Sequence, residues 1–362
     1  MDNRPMVTVA IPVYNVERFL PKGFDSILAQ TYTDFEIVVA DDGSTDNTLA
    51  LCEQIATTDP RIRVVHFPHR GIGPVRNSLI EQARGKYLFF FDIDDYIEPD
   101  LLADNVAAME EGGNDMIFFG FYAEHLATGI RDTLRLPDRT MVTNEEFRQF
   151  YCDELVMSPY GCGHMCTKFY RMSFLRKLFD AGVLFEDVEM HEDELLNLQA
   201  FKHISKSQSL SKIYYHYVFY PKGNTSTRYK KNDIEDSLHL YHSRMELYRD
   251  WIKTREDVVE NYRKLLLIAI GSSIMSHDYY SQAKMGWVET YKQIKQVLGT
   301  PEVRTCAQCC RIELSGPHKS VFNKMMDKTF YENKPLQFLI VRWIRDNYRI
   351  VKRRGHNSTQ RN

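Results

Sequence analysis

The sequence predicts an α/β fold built on a mostly parallel sheet, and three observations support this prediction. Short β-rich runs alternate with helical patterns over residues 6–125. The β-rich runs are almost continuously apolar, as is typical of parallel strands that helices cover on both faces. Polar residues follow several of these runs directly, and open α/β sheets bind ligands beyond the carboxyl ends of their strands. We therefore expect right-handed βαβ units, as in Rossmann-like folds, with a ligand site at one edge of the sheet.

The first part of the chain contains the alternating elements in order. The predicted strands are MVTVAIPVY, FEIVVAD, RIRVVHF, KYLFFFD and NDMIFFGF, which begin at residues 6, 35, 61, 86 and 114. The predicted helices between them are VERFLPKGFDSILAQ, STDNTLALCEQIATTD, GPVRNSLIEQARG and PDLLADNVAAMEEGG. Ser44 or Asp46 can cap the second helix, and glycines follow the ends of the third and fourth helices, where they are favoured.

The pattern becomes mixed after residue 125 and then helical. RDTLRLPDRTMVT (131–143) predicts a hairpin, NEEFRQFYCDEL (144–155) and HEDELLNLQAFKH (191–203) predict helices, and SKIYYHYVFY (211–220) predicts a strand. From about residue 232 the pattern is helical and richly charged. We therefore expect one domain over residues 1–230 and a helical region over 231–362, which could hold a homodimer together.

Composition and charge narrow the class of protein. The formal net charge of −3 over 362 residues gives no overall case for nucleic-acid binding. The N-terminal segment runs into the first strand without a signal-peptide pattern, and the longest apolar runs are too short to span a bilayer. The 7 cysteines are odd in number and irregular in spacing, which favours reduced thiols. The sequence therefore predicts a cytoplasmic protein.

The end of the chain is strongly basic. From Pro335 onward there is one acidic residue, Asp346, among many arginines and lysines, and Tyr348, Ile350 and Val351 interleave with the basic residues. This pattern suits a helix that lies on an anionic membrane surface, which would place the protein at the inner face of the membrane. The alternative is a packed final helix followed by a disordered tail.

Three carboxylates end the fourth predicted strand. Asp92, Asp94 and Asp95 lie within four positions, where their charges repel, and a divalent cation would offset that repulsion because hard cations take oxygen ligands. A solvated acidic turn is the structural alternative. Two enzyme chemistries use such a strand end: transfer from a nucleotide-diphosphate donor, and phosphate-ester hydrolysis of the haloacid-dehalogenase type. The phosphatase requires a small residue where this chain has Tyr96, so metal-assisted transfer is favoured.

These motifs together resemble those of the family 2 glycosyltransferases of the GT-A fold. The resemblance rests on VAIPVYNVERFLPKGFDSILAQTYTDFEIVVADDGSTDNT, on GIGPVRNSLIEQARGKYLFFFDIDDYI and on HEDELLN, and it extends over about the first 220 residues. It implies an inverting enzyme that uses a nucleotide sugar, Mn²⁺ or Mg²⁺, and a glycan or lipid-linked acceptor, often in the synthesis of bacterial surface polysaccharides. A non-catalytic protein that binds sugar nucleotides is the other alternative, and the intact HEDE motif argues against it.

The resemblance implies a nucleotide site at the first two strand ends. Pro12 and Tyr14 would flank the nucleobase, with the ring of Tyr14 as a stacking face, and Asn15 follows them. Asp42 matches the carboxylate that accepts a hydrogen bond from a base N–H, as uracil would provide. Asp41 precedes it and is the alternative acceptor.

The resemblance also implies roles near the diphosphate. Arg76 corresponds to a basic residue near the nucleotide, and its guanidinium fork, which is always charged, suits that position. Asp92 would lie near the ribose or the metal, Asp94 would bind the metal directly, and Asp95 would bind it directly or through water. His216 is a candidate metal or diphosphate contact, with a packed strand histidine as the alternative.

The HEDELLN motif implies the catalytic base. Inversion needs a group that takes the proton of the acceptor hydroxyl, and Asp193 matches the family's residue for that role. Glu192 and Glu194 are the neighbours that could be confused with it. An acidic helix start also interacts favourably with the helix dipole, which is the structural alternative.

Two further features carry weaker predictions. Ser226 and Arg228 follow the last predicted strand and could contact phosphate. The cysteine-rich stretches at residues 162–166 and 306–310 invite a zinc interpretation, but neither has a convincing second ligand pair, so ordinary thiols are favoured.

Overall fold

The structure is a computed structural model that describes residues 4–157, 163–220, 230–275, 285–312, 314 and 321–346. The chain divides into two compact units, Met1–Asn224 and Thr225–Asn362. We refer to them as unit 1 and unit 2.

Unit 1 is built from a large sheet and the helices around it. Its strands are β1 Val7–Val13, β2 Phe35–Asp41, β3 Ile62–His66, β4 Tyr87–Phe90, β5 Tyr96–Ile97, β6 Met116–His125, β7 Ile130–Leu134, β8 Arg139–Met141, β9 Lys168–Arg171 and β10 Ser207–Phe219. Its α-helices are α1 Leu20–Leu28, α2 Thr48–Ala56, α3 Ile72–Gln82, α4 Leu101–Gly112, α5 Asn144–Phe150, α6 Met172–Asp180 and α7 Glu192–Phe201. The predicted α/β class is confirmed.

The parallel core of the sheet is as predicted, whereas the pairs that involve β5, β7, β8 and β9 are antiparallel. The strand order is β3-β2-β1-β4-β9-β6-β10-β5, and β7 and β8 pair with β6 and β10 respectively. The pairs β1–β2, β2–β3, β1–β4 and β6–β10 are parallel. Strand β9 is antiparallel to both β4 and β6. The fifth strand of the predicted series therefore does not neighbour the fourth, because β9 returns from later in the chain to fill the place between them.

The predicted hairpin over residues 131–143 does not form. Its two strands are present, but β7 pairs with β6 and β8 pairs with β10. Each short strand instead finds a longer partner, since β6 has 10 residues and β10 has 13. The prediction of strands in this stretch is confirmed, and the prediction that they pair with each other is wrong.

The core of unit 1 fixes the position of the strand ends. Every residue of β1, β2 and β4 is buried, as expected of strands that helices cover on both faces. The register places Val13 opposite Asp41 and Ala10 opposite Phe90. The segments that follow β1, β2 and β4 therefore emerge side by side at one edge of the sheet.

Unit 2 is helical, as predicted. Its α-helices are α8 Asp233–Leu247, α9 Glu256–Met275, α10 Trp287–Gly299, α11 Pro301–Cys309 and α12 Val321–Tyr331, and residues 335–346 are also helical. In the described ranges, no helix combines the length and the apolar character needed to cross a membrane. The basic segment around Tyr348, Ile350 and Val351 lies outside the described residues.

Candidate active site

Asn15 ties the segment after β1 to the segment after β2. Its side-chain oxygen accepts hydrogen bonds from the backbone N–H groups of Thr45 (2.7 Å) and Asp46 (3.3 Å), and its own N–H donates to Ser44 Oγ (3.0 Å). Asn15 has a φ of 53°, a left-handed conformation that Asn tolerates better than most residues. Asn15, which was predicted among the nucleotide contacts, thus uses its side-chain oxygen to hold this loop.

Tyr14 and Pro12 differ in what they can offer a nucleobase. Pro12 is buried within β1, opposite Ala40, so its predicted role beside the base does not fit its position. Tyr14 is partly exposed, and its ring stacks on His69 with a centroid distance of 4.3 Å and an interplanar angle of 14°. The ring of Tyr14 is therefore partly accessible to solvent, and His69 covers one side of it.

Asp42 lies at the start of the loop that follows β2. Its Oδ1 accepts the backbone N–H of Arg70 (2.9 Å), and its Oδ2 accepts the N–H of Gly71 (3.0 Å). His69 Nδ1 also lies 2.8 Å from Asp42 Oδ2. One side chain, His69, therefore occupies both features that were predicted for the nucleobase: the ring face of Tyr14 and the carboxylate of Asp42. Sequence reasoning missed His69, because a histidine in a polar loop gives no distinguishing signal.

Asp41, the alternative base contact, is completely buried. Its Oδ2 lies 2.8 Å from His66 Nδ1 and accepts the backbone N–H of Ser44 (3.2 Å). Its Oδ1 is also buried and has no hydrogen-bond partner among the described residues. Asp41 is therefore the less accessible of the two adjacent carboxylates for a base N–H.

Asp95, the last of the three strand-end carboxylates, is held by β10. Only 2% of it is exposed, its Oδ2 accepts the hydroxyl of Tyr215 (2.7 Å), and its Oδ1 accepts the backbone N–H of Val218 (2.7 Å). Burial, followed by the charges of Asp94 and Asp92, raises the pKa of Asp95 well above its ordinary value. Both carboxylate oxygens anchor this turn to β10, which favours an anchoring role for Asp95 over the predicted metal contact.

Asp94 differs from Asp95 in that no other described residue forms a hydrogen bond with its carboxylate. Its backbone carbonyl accepts the hydroxyl of Tyr220 (2.9 Å), but its carboxylate forms no ion pair with, and no hydrogen bond to, another described residue. Burial, and then the charge of Asp92, raise the pKa of Asp94 from 3.8 to about 6. Asp92 and Asp94 repel each other, and their carboxylate oxygens could serve as metal ligands. A hard divalent cation prefers such oxygen ligands and would offset the repulsion.

His216, the fourth predicted metal ligand, belongs to a separate cluster. It is buried on β10 and stacks on Tyr96 at a centroid distance of 4.1 Å. Its Nδ1 lies 2.9 Å from Glu124 Oε1, and its Nε2 lies 2.8 Å from Glu98 Oε1. Both ring nitrogens face carboxylates, which favours the packed strand histidine over the predicted metal contact. Over the described residues, no three His, Cys, Asp or Glu side chains form a preformed metal cluster.

Arg76 joins the strand-end carboxylates to helix α7. It lies on α3 and is buried, its Nη1 forms an ion pair with Glu192 in the first turn of α7, and its Nη2 lies 3.3 Å from Asp92 Oδ1. A planar guanidinium suits this position because it can form ion pairs with two carboxylates at fixed angles. Sequence reasoning treated Glu192 only as a neighbour of the predicted base and therefore missed its role as the partner of Arg76.

Asp193 follows Glu192 in the same turn. Its Oδ1 accepts the backbone N–H of Glu194 (2.7 Å). Burial acts to raise the pKa of Asp193, but Arg76, His164 and the hydrogen bond from Glu194 outweigh it and hold the pKa below 3.8. Asp193 is therefore ionised near neutral pH and can accept a proton.

The cysteine-rich stretches do not form a zinc site in the described part of the chain. Cys166, Cys306 and Cys310 are buried free thiols, and Cys309 is an exposed one. His164, from the first stretch, is partly buried, with its ring 5.5 Å from that of Phe121. Cys162, Ser226 and Arg228 lie outside the described residues.

Comparisons with known proteins agree with the fold and with the motifs of the site. The sequence profile of "Glycosyl transferase family 2" matches residues 8–179. The "uncharacterized glycosyltransferase EpsJ" of Bacillus subtilis (strain 168) is 30% identical over 251 residues, which cover 68% of this chain and 71% of that protein. These matches support the glycosyltransferase interpretation of the chain.

Two solved structures share the fold. The S. aureus TarS 1–349 complex with UDP-GlcNAc is 20% identical, with a TM-score of 0.59 over 95% of this chain and 91% of that chain. The mannosyltransferase PcManGT of Pyrobaculum calidifontis, in complex with GDP-Man and Mn²⁺, is 16% identical, with a TM-score of 0.51 over 95% and 88%. At these identities the likeness shows the GT-A fold alone. On the sequence matches, the chain belongs to family 2 of the glycosyltransferases.

Proposed function

We propose that this glycosyltransferase moves a sugar from a UDP-sugar to a hydroxyl group of a glycan or lipid-linked acceptor, with inversion at the anomeric carbon. The observation that carries the proposal is the bridge that Arg76 makes between Asp92 and Glu192. This bridge brings the strand-end carboxylates of the donor site and the first turn of α7, which carries Asp193, into one place. A transfer reaction with a general base needs both parts.

The donor nucleotide is proposed from the loops after β1 and β2. Tyr14 offers an aromatic face and Asp42 offers a carboxylate acceptor, and uracil has both a flat ring and an N–H group to meet them. His69 makes both contacts in this structure, which supports a place for a planar nitrogen heterocycle between Tyr14 and Asp42. The TarS structure with UDP-GlcNAc is consistent with a UDP-sugar, although PcManGT shows that this fold also accommodates a GDP-sugar.

The strand-end carboxylates fit a divalent cation. Asp94, with Asp92 beside it, would hold Mn²⁺ or Mg²⁺, whose charge would stabilise the leaving diphosphate. The support is the carboxylate of Asp94, which forms no hydrogen bond with another described residue and whose pKa is raised to about 6 by burial and by Asp92. Asp95 would keep the turn in place from β10 and would not bind the cation itself.

Asp193 is the proposed general base. Its Oδ1 is oriented by the N–H of Glu194, and its Oδ2 would accept the proton of the acceptor hydroxyl as that oxygen attacks the anomeric carbon. A single direct displacement of this kind inverts the configuration. Arg76 contributes by fixing Glu192, and through it the start of α7, so that Asp193 is held where the acceptor must approach.

The test uses water as the acceptor, so that the natural acceptor need not be known. The enzyme is incubated with Mn²⁺ and a panel of UDP-GlcNAc, UDP-glucose, UDP-galactose and GDP-mannose, and the released sugar is followed by proton NMR before its anomers equilibrate. We expect an α-linked UDP-sugar to give the β-anomer first. If the α-anomer forms first, inversion is wrong, and if GDP-mannose is the preferred donor, the uridine assignment is wrong. Asp193→Asn should slow the release by about 10²-fold or more, whereas the exposed control Asp25→Asn should retain it.

A further inference from the structure

The helix over residues 335–346 in unit 2 presents large apolar side chains to solvent. Leu336 is 53% exposed, Ile340 is 42%, Trp343 is 51% and Ile344 is 41%. These positions recur at i, i+4, i+7 and i+8, so they lie on one face of the helix. We call these four residues the outer face.

The opposite side of the same helix is also unusual. Phe338 and Leu339 are buried there, but so are two arginines. Arg342 Nη1 donates to the carbonyl of Ile274 (3.1 Å), and Arg345 Nε donates to Asp346 (2.8 Å). An ordinary surface helix places its cations in water and its apolar side chains inside. This helix instead exposes apolar side chains at the four positions of its outer face and buries two arginines. An exposed apolar face of this kind indicates a binding surface.

A second element extends the outer face. Trp287, at the start of α10, is 50% exposed, and its ring centroid lies 6.2 Å from that of Trp343 in an edge-on arrangement. Val288, beside it, is 67% exposed. The outer face and Trp287 together form one patch that contains two tryptophans, the residue type that favours the boundary between lipid headgroups and hydrocarbon.

We propose that this patch docks on an anionic membrane surface. The argument for lipid over a second copy of the chain is charge. The sequence immediately after the helix contains no Asp or Glu, and its cations are Arg349, Lys352, Arg353, Arg354 and Arg361. An anionic leaflet attracts such a segment, whereas an isologous contact between two copies would bring two basic segments together. Apolar insertion and electrostatic attraction are the two signals that peripheral membrane binding requires.

Membrane docking goes beyond the transfer reaction and does not depend on its details. Under the proposed function, it would keep the enzyme on the surface where a lipid-linked acceptor resides. The enzyme would then meet its acceptor by diffusion in two dimensions.

The test is vesicle sedimentation of the full chain. Vesicles of phosphatidylcholine with an equal part of phosphatidylglycerol are compared with vesicles of phosphatidylcholine alone. We expect binding to the anionic vesicles that weakens with salt, and a loss of about tenfold or more in the Trp287→Ser/Trp343→Ser double variant. Ile340→Gln should lower the binding to anionic vesicles several-fold, although it changes neither tryptophan. Ile130→Ser, which alters a residue of unit 1 that is 55% exposed, is the matched control and should bind like the unchanged protein.

Three results would overturn the proposal. The first is failure of the unchanged protein to bind either kind of vesicle, and the second is binding that Ile340→Gln and the double variant leave intact. The third is a dimer, detected by light scattering, that these variants convert to a monomer, because the patch would then belong to a second copy. Thermal unfolding of each variant establishes that it is folded. Asp193→Asn should bind vesicles normally, so a failure of docking and a failure of the proposed transfer reaction are distinguishable.

Discussion

Replacement of Asp94 by asparagine is expected to stabilise the metal-free protein while removing its response to metal and nucleotide. Asp94 has a carboxylate that lies close to Asp92, is largely buried, and forms no ion pair with another described residue. Asparagine has nearly the same shape and no charge. The variant therefore removes a repulsion that the protein otherwise maintains for a cation.

The expected gain in stability follows from the pKa. Burial and Asp92 raise the pKa of Asp94 from 3.8 to about 6. A raised carboxyl pKa means that this group favours the folded state below pH 3.8, and that the contribution is lost as the pH rises through about 6. The difference between these two pKa values corresponds to about 3 kcal/mol of folding free energy, at about 1.4 kcal/mol for each pKa unit. Because Asp94 keeps some contact with solvent, we expect Asp94→Asn to gain about 1–2 kcal/mol at neutral pH.

Urea unfolding with EDTA, and then with Mn²⁺ and UDP, measures both effects. In EDTA, Asp94→Asn should unfold at a higher urea concentration than the unchanged protein. Addition of Mn²⁺ and UDP should stabilise the unchanged protein and leave the variant unaffected, because ligands stabilise only the state that binds them. Asp25→Asn, on the exposed side of α1, is the control for loss of one negative charge. If Asp94→Asn is less stable in EDTA, or responds equally to Mn²⁺ and UDP, the reasoning is refuted.

Three further changes test the rest of the site. Asp193→Asn should lower turnover by about 10²–10⁴-fold while leaving the affinity for UDP within twofold, as measured by kinetics and calorimetry, and unchanged turnover would remove Asp193 as the base. Arg76→Met should destabilise unit 1 by about 3–5 kcal/mol in urea unfolding, because the buried Glu192 would lose its ion pair with Arg76, and a loss below about 1 kcal/mol would contradict the bridge. The double variant Arg76→Met/Glu192→Gln should recover part of that stability. His69→Ala should tighten UDP binding several-fold in calorimetry by freeing Tyr14 and Asp42, whereas weaker binding would show that His69 is itself a nucleotide contact.

The strands and helices of the fold could be predicted because their signals are local. Continuous apolar runs in β1, β2 and β4 reflect burial on both faces, and that pattern is visible within each run. The place of β9 between β4 and β6 could not be predicted, since strand pairing across many residues leaves no local pattern. The separate pairing of β7 and β8 escaped prediction for the same reason.

The same difference between local and long-range signals applies to the residues of the site. The strand-end carboxylates and the acidic start of α7 stand out in the sequence, and the structure joins them through Arg76. The surroundings of Asp95 and His216 could not be predicted, because the sequence does not show whether an aspartate or a histidine faces a metal or other protein groups. Their partners, Tyr215 for Asp95 and Glu98 and Glu124 for His216, come from other elements or distant positions.

Calorimetric titration of UDP into the protein, with Mn²⁺ and then with EDTA, tests the central claim most directly. The claim is that Asp94 and Asp92 hold a cation against the diphosphate of a uridine donor whose base meets Tyr14 and Asp42. It predicts binding of UDP that requires Mn²⁺, is stronger than that of GDP or CMP, and disappears in Asp94→Asn. Absence of binding by every nucleotide, or binding that EDTA and Asp94→Asn leave unchanged, would contradict it.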